Sequence, residues 1–343
     1  MKTTISKIFL ILLASILLLR ANVQAQDIHF SQFFATPLLT NAANTGLSGE
    51  EIRFANCYRN QWSAIGIPFN TFYTSLDKKI LILDQAIGIG GLVIHDQASI
   101  FNMSADEFLL SFSYSKILDN QQFSVGIQPG YVLKSYNTKG LTFGSQFDLF
   151  SQVFNTNLPS SEFGLTGNLH YFDLNAGIFW RTLIRNIMPS AGFSISHLFR
   201  PLESFSNSSA GFHLPMKFTF NSQVIIPLKN NFDIAPCMIY GFTPGAHEFL
   251  LGSYGGYSIE NAVIQVKKIN AIAMFRLNPF RNIDAAILGC GINFAALNIG
   301  ISYDINISPL ARAGNFNGAF EISLVYTART QSVKFVREPC TIF

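Results

Sequence analysis

The side chains best suited to chemistry in this sequence are six histidines and four cysteines. They are His29, His95, His170, His197, His213 and His247, with Cys57, Cys237, Cys290 and Cys340. Zinc hydrolysis on a helix needs an HExxH spacing, and none occurs. A thiolate metal site or a redox pair needs cysteines two residues apart, and there is no CxxC. Acyl transfer from a strand-to-helix elbow needs GxSxG, and phosphate binding needs a P-loop; neither is present. Gly88-Ile89-Gly90-Gly91 and Gly289-Cys290-Gly291 sit inside apolar segments, where glycine marks a bulge or a tight wall. A lone histidine in Asp27-Ile28-His29 reads as surface. No catalytic, cofactor-binding or metal-binding set is expected, and the chain is expected not to be an enzyme. Outer-membrane phospholipases, whose Ser and His are far apart in sequence, define the alternative.

Composition points to a membrane wall. Charged residues are 13% of the 343, hydrophobic ones 49%, and phenylalanine alone occurs 34 times. The charged share is about half that of a soluble domain. Either a very large core or an apolar face in lipid would account for it. A net charge of +3 with no Lys/Arg run excludes a nucleic-acid partner. Lys2 and Lys7 precede a short apolar run, Ile8 to Leu19, and Val23-Gln24-Ala25 offers a cleavage site. Residues 1–25 are therefore expected to be a signal peptide, with Gln26 first in the mature chain. No cysteine follows that site, so no lipoprotein anchor is expected. No other stretch reaches 18 apolar residues, the length a spanning helix needs. Export would allow disulfides among the four cysteines, but their spacing defines no framework.

From Ile52 onward the pattern alternates with period 2. Phe108, Leu110, Phe112 and Tyr114 alternate with Leu109, Ser111, Ser113 and Ser115. Phe123, Val125, Ile127 and Tyr131 alternate with Ser124, Gly126, Gln128 and Gly130, and Ile299 and Ile301 alternate with Gly300 and Ser302. A β-sandwich shares this alternation. Segments of about ten residues or more instead match spanning strands. Tyr114, Tyr131, Trp180, Tyr240, Tyr303 and Tyr326 sit near strand ends, as interfacial girdles do. The expectation is an all-β, antiparallel transmembrane barrel of about 14 strands. They run over 51–63, 69–79, 84–96, 104–118, 121–134, 170–181, 187–198, 213–228, 231–242, 246–257, 266–278, 282–292, 295–305 and 317–328.

Short links at 118–121 and 228–231 then share one side, and long links at 135–169, 199–212 and 306–316 share the other. Short turns are periplasmic and long loops external in such barrels. Both termini are thus expected in the periplasm, with 26–50 as a periplasmic or plug segment, 51–328 the barrel and 329–343 a periplasmic tail. The links near 258–265, 243–245 and 279–281 fit this scheme least. A link as long as 135–169 points to function, either as a cap over the mouth or as a hairpin extending the wall. Asp173, Arg181, Asp304 and Glu321 are expected to face inward. Arg53 and Arg59 share parity and are placed inward as well, within reach of Asp304 or Glu321 across the seam between first and last strands.

Order and spacing of several short stretches resemble the PorP/SprF family of outer-membrane proteins of type IX secretion and gliding. These are Asp27-Ile28-His29-Phe30-Ser31-Gln32, Asn41 to Gly46, Tyr58-Arg59-Asn60-Gln61-Trp62, Leu141 to Asp148, Ser302-Tyr303-Asp304 and the segment around Glu321. Ser63 after Trp62, and Thr341-Ile342 after Cys340, depart from that pattern. The resemblance implies a non-enzymatic barrel embedded in outer-membrane lipid. It implies as partners periplasmic secretion-machinery subunits and one secreted, adhesin-like substrate, whose export or surface attachment the barrel aids. A channel for small solutes is the alternative function.

Overall fold

A sheet in lipid has to close on itself, because an open edge would leave backbone donors and acceptors without partners. The computed structural model describes residues 27–63, 68–82, 85–98, 103–136, 142–155, 157–158, 167–204, 212–259, 265–278, 283–309, 311–312 and 316–328. The strands are β1 (Ile52–Gln61), β2 (Phe69–Ile82), β3 (Gln85–Ala98), β4 (Met103–Leu118), β5 (Gln121–Ser135), β6 (Phe147–Asp148), β7 (Val153–Phe154), β8 (Asn168–Thr182) and β9 (Met188–Ser196). They continue as β10 (Leu202–Glu203), β11 (Phe212–His213), β12 (Lys217–Pro227), β13 (Phe232–Thr243), β14 (Ala246–Ser258), β15 (Val266–Leu277), β16 (Ile283–Phe294), β17 (Leu297–Asn306) and β18 (Asn317–Ala328). Fourteen of them form one closed antiparallel barrel, and β6–β7 and β10–β11 are separate two-stranded hairpins. The expected strand number holds.

The differences are local. The strand expected over 213–228 begins at Lys217, because Phe212 and His213 pair with Glu203 and Leu202 instead. The link 135–169 carries a small hairpin, Phe147 opposite Phe154, in its own sheet, so it does not extend the wall. Leu141 lies outside the described residues. Cys57, Cys237 and Cys290 are free thiols. Cys340 and the rest of 329–343 lie outside the described residues.

Links at 83–84, 119–120, 228–231 and 295–296 gather at one end of the barrel, and 136–167, 197–216 and 307–316 at the other. The three connections out of pattern remain so, at 259–265, 244–245 and 278–282. Outward aromatics divide between the ends: Tyr114, Trp180 and Tyr326 lie toward the short links, Tyr131, Tyr240 and Tyr303 toward the long ones. These are the two girdles of a lipid-facing band.

Parity is as the alternation predicted. Ile299 and Ile301 are 40% and 43% exposed, while Gly300 between them is buried. Ile301→Arg, at the middle of β17, is expected to cost roughly 2–4 kcal/mol in a lipid bilayer. Unfolding titrations in liposomes measure it, and a change below about 0.5 kcal/mol would place Ile301 off the lipid face.

The N-terminal segment fills the lumen. It has no regular alternation and folds as short turns: 3-10 helix at Phe33–Ala35, one helical turn at Pro37–Thr40 and 3-10 helix again at Ala42–Asn44. Asp27 sits beside His197 and Lys217, at the long-link ends of β9 and β12. Thr45 bonds Ser111 deep in the lumen, and Glu51 enters β1 at the short-link end beside Lys79. The segment therefore runs the length of the barrel. β18 finishes at the short-link end, Ala328 facing Ile52, whereas Asp27 lies at the opposite mouth.

Candidate functional site

Sheet register decides which charges meet inside. Arg59 on β1 lies directly opposite Glu321 on β18, and Asp304 on β17 shares its inward face. Both Arg59 nitrogens Nη1 and Nη2 reach Asp304 Oδ2 at 3.1 Å, and Nη1 also donates to Glu321 Oε1. Arg276 on β15 closes the cluster, Nη1 lying 2.9 Å from Asp304 Oδ2 and Nε 3.2 Å from Glu248 Oε1. Arg59, Asp304 and Glu321 are each no more than 2% exposed. Ion pairs this dry persist only where the remaining lone pairs are also satisfied.

The N-terminal segment supplies that satisfaction. The backbone N–H of Ser31 donates to Glu321 Oε1 at 2.7 Å, and that of Gln32 to Oε2 at 2.9 Å. Ser31 Oγ donates to Asp304 at 2.8 Å and accepts from Arg59 and Arg276. Gln32 Nε2 donates to Ser302 Oγ at 3.0 Å, and Gln32 Oε1 accepts from Ser323 Oγ at 2.7 Å. Gln61 Oε1 accepts from Arg59 Nε at 3.3 Å.

A second anchor lies toward the short links. Arg53 was expected near Asp304 or Glu321 but pairs with Asp77 on β2, at 2.9 and 3.0 Å. Register is the reason: Arg53 faces Asp77 directly, and six residues of strand, about 20 Å, separate it from Arg59. Asp77 Oδ2 also accepts from the Gly46 N–H at 2.7 Å, and Arg53 Nη2 donates to Asn44 O at 2.9 Å. Between the anchors, Asn41 Nδ2 donates to Ile178 O at 2.9 Å. Close approach there needs bare glycine: a Cβ on Gly126 would stand 2.4 Å from the Ala42 backbone. Apolar side chains complete the seat. Phe30 and Leu38 join Ala55, Tyr73 and Ile94, while Phe33 joins Leu250, Met274 and Ile287.

At the long-link mouth the segment floors a cavity of about 390 Å³. His197 bridges two carboxylates there, Nδ1 at 2.7 Å from Asp173 and Nε2 at 3.4 Å from Asp27. Burial works against its charge, but the two aspartates outweigh it and lift the imidazole to about 10. Burial pushes His29 down to about 4, against the pull of Glu248.

The sequence-selected residues thus divide. Ser31, Gln32, Arg59, Gln61, Ser302, Asp304 and Glu321 come together in one buried cluster, and Phe30 packs beside it. Asp27 and His29 face the cavity, and Asn41 and Gly46 hold the segment elsewhere. Tyr58, Asn60 and Tyr303 point outward: Tyr58 and Asn60 share Asn70 Oδ1, and Tyr303 bonds Asn317. Trp62 stacks edge-on against Phe69 at 5.3 Å. Arg276, Glu248 and Asp77 were missed. Each lies on the inward parity of its strand, Glu248 as the lone charge there, Asp77 with Lys79 and Arg276 with Lys268, and that parity was the available signal.

The family model of the type IX secretion system membrane protein PorP/SprF matches residues 22–326. The chain belongs to the PorP/SprF family. No curated protein matches it. Among solved structures it is similar to CdiB from Acinetobacter baumannii (7% identity, 81% of this chain, TM-score 0.45), of whose length it spans 60%. It is also similar to a TodX monoaromatic hydrocarbon channel mutant (9%, 84% of this chain and 92% of that one, TM-score 0.48). A Pseudomonas aeruginosa FadL homologue resembles it too (12%, 83% and 92%, TM-score 0.43). As a PorP/SprF protein, this one is a secretion-related barrel of the outer membrane.

Proposed function

We propose that this PorP/SprF barrel is a non-enzymatic, protein-binding component of the secretion machinery. It aids export or surface attachment of one secreted, adhesin-like substrate at the long-link face and docks periplasmic subunits at the short-link face. The observation that carries this reading is the filled lumen. Residues 27–50 occupy the space a solute would cross and are held there by two buried ion-pair anchors. That argues against a small-solute channel. Binding surface then lies at the ends, where a rigid scaffold carries recognition on loops. The β6–β7 hairpin exposes Leu149, Phe150, Val153 and Phe154, an apolar tip of the kind that marks a protein contact. Since most of 27–48 is buried, periplasmic docking falls to the tail 329–343 and the short links.

Deleting 141–150 should abolish retention of the secreted partner at the surface, while the barrel still shows a heat-modifiable band. Deleting 331–343 should weaken pull-down of periplasmic subunits. Wild-type secretion and anchoring in both deletions would overturn the division.

A further inference from the structure

The cavity at the long-link mouth has more carboxylate than its own cations use. Most of its acids are spoken for. Glu203 pairs with Lys134 at 2.8 Å, Glu248 with Arg276 at 3.2 Å, and Asp27 with Lys217 at 3.5 Å. Asp96 accepts from Thr71 at 2.6 Å. Two acceptors are left over. Asp173 is 4% exposed, its Oδ2 bonded to His197, yet its Oδ1 has no partner among the described residues. Glu107 on β4 faces the same cavity and has neither a hydrogen bond nor an ion pair among the described residues. The charges in its field are His197, Lys134, Asp27 and Asp173.

A carboxylate oxygen that dry and unpaired marks a place where a donor is meant to arrive. Glu107 faces Val132 and Val132 faces Tyr171, so Glu107 and Asp173 stand two strands apart and two residues out of step, about 12 Å between backbones. Among the described residues no three His, Cys, Asp or Glu side chains converge to hold a metal ion. A guanidinium or ammonium carried on a flexible stem needs only one such carboxylate with the second in its field. The surface beside the carboxylates is apolar, with Phe30, Phe33, Leu109 and Tyr171. It suits the stem of such a side chain and an apolar neighbour.

We infer that this cavity is a receptor for a cationic side chain, arginine or lysine, carried beside an apolar residue on a polypeptide. The inference deepens the export reading and rests on it for the source of the polypeptide alone. Glu107 and the free oxygen of Asp173 take the cation. The N-terminal segment forms the floor, so a seated segment is needed for the site to exist.

Calorimetric titration of the full-length protein in detergent micelles tests this with three probes: acetyl-Phe-Arg-amide, acetyl-Phe-Glu-amide and spermidine. The arginine peptide should bind at least about tenfold more tightly than either other probe, and more weakly as salt is raised. Glu107→Gln should weaken it by roughly tenfold to a hundredfold. Lys134→Gln, which frees Glu203, should tighten it, a change that damage to the fold would not produce. Equal affinity for the arginine and glutamate peptides, for spermidine, or for wild type and Glu107→Gln overturns the receptor. So does the absence of binding. If it falls while deletion of 141–150 still abolishes surface retention, the secretion role stands without it.

Discussion

Arg59→Ala is expected to lower the unfolding free energy by about 3–5 kcal/mol, the cost of removing one partner from a buried ion cluster. Glu321, which is fully buried, would then keep only the N–H groups of Ser31 and Gln32 against its charge. Asp304 would suffer less, because Arg276 remains 2.9 Å away. Urea unfolding in micelles, followed by Trp62 and Trp180 fluorescence, reads the loss. Arg59→Lys should keep part of it, since a point charge cannot contact both carboxylates as the planar fork does. The double change Arg59→Met with Glu321→Met should recover most of the stability, because a matched apolar pair leaves no orphan charge. A loss below about 1 kcal/mol for Arg59→Ala would mean the cluster is not the main anchor.

Gly126→Val is expected to expel the N-terminal segment and turn a closed barrel into a conducting one. The first added carbon would lie 2.4 Å from Ala42 C and 2.5 Å from Ala42 O and Ala43 N. Both sides of that clash are backbone, so no rotamer change relieves it. Gly177 repeats the constraint: a Cβ there would stand 2.0 Å from Asn41 Oδ1. Planar-bilayer recording separates the outcomes. Wild type should stay silent, Gly126→Val should open stable conductance, and deletion of 27–48 should match it. Gly91→Ala is the control, because its new carbon meets nothing nearer than 3.4 Å. A silent, fully stable Gly126→Val would show that the lumen accommodates the segment more loosely than the contacts indicate.

The wall was legible in the sequence because a strand between lipid and a polar lumen has only one way to alternate. Leu110, Val125 and Ile301 declare their side by type alone. Arg59 with Asp304 and Glu321 was legible for the same reason, since inward charges on first, last and penultimate strands have to meet at the seam. Arg53 was not: parity gives the face of a strand but not the height, and only register separates Asp77 from Glu321. The path of 27–50 was hidden for a different reason. Many of its contacts run through backbone, as at Ala43, Thr45 and Gly46, and backbone leaves no pattern in residue type. The signal lay on the wall instead. Gly126 and Gly177 read as weak points of strands when taken alone. They are the hollows into which Ala42 and Asn41 fit.

The seam cluster also sets an order of assembly. Ser31 and Glu321 are 290 positions apart, among the longest separations the chain can make. Closing such a loop loses entropy that no contact repays until both ends are in place, so it comes late. The residues made first therefore wait for the strand made last. β1 and β18 zip along the line where Arg59, Glu321, Ser31 and Gln32 converge, so barrel closure and seating of the segment are expected to be coupled. A barrel that shuts without its N-terminal segment would trap Asp304 and Glu321 half-satisfied. That species is the high-energy one, and the machinery that folds this protein into the membrane has to keep residues 27–50 accessible until the last hairpin arrives.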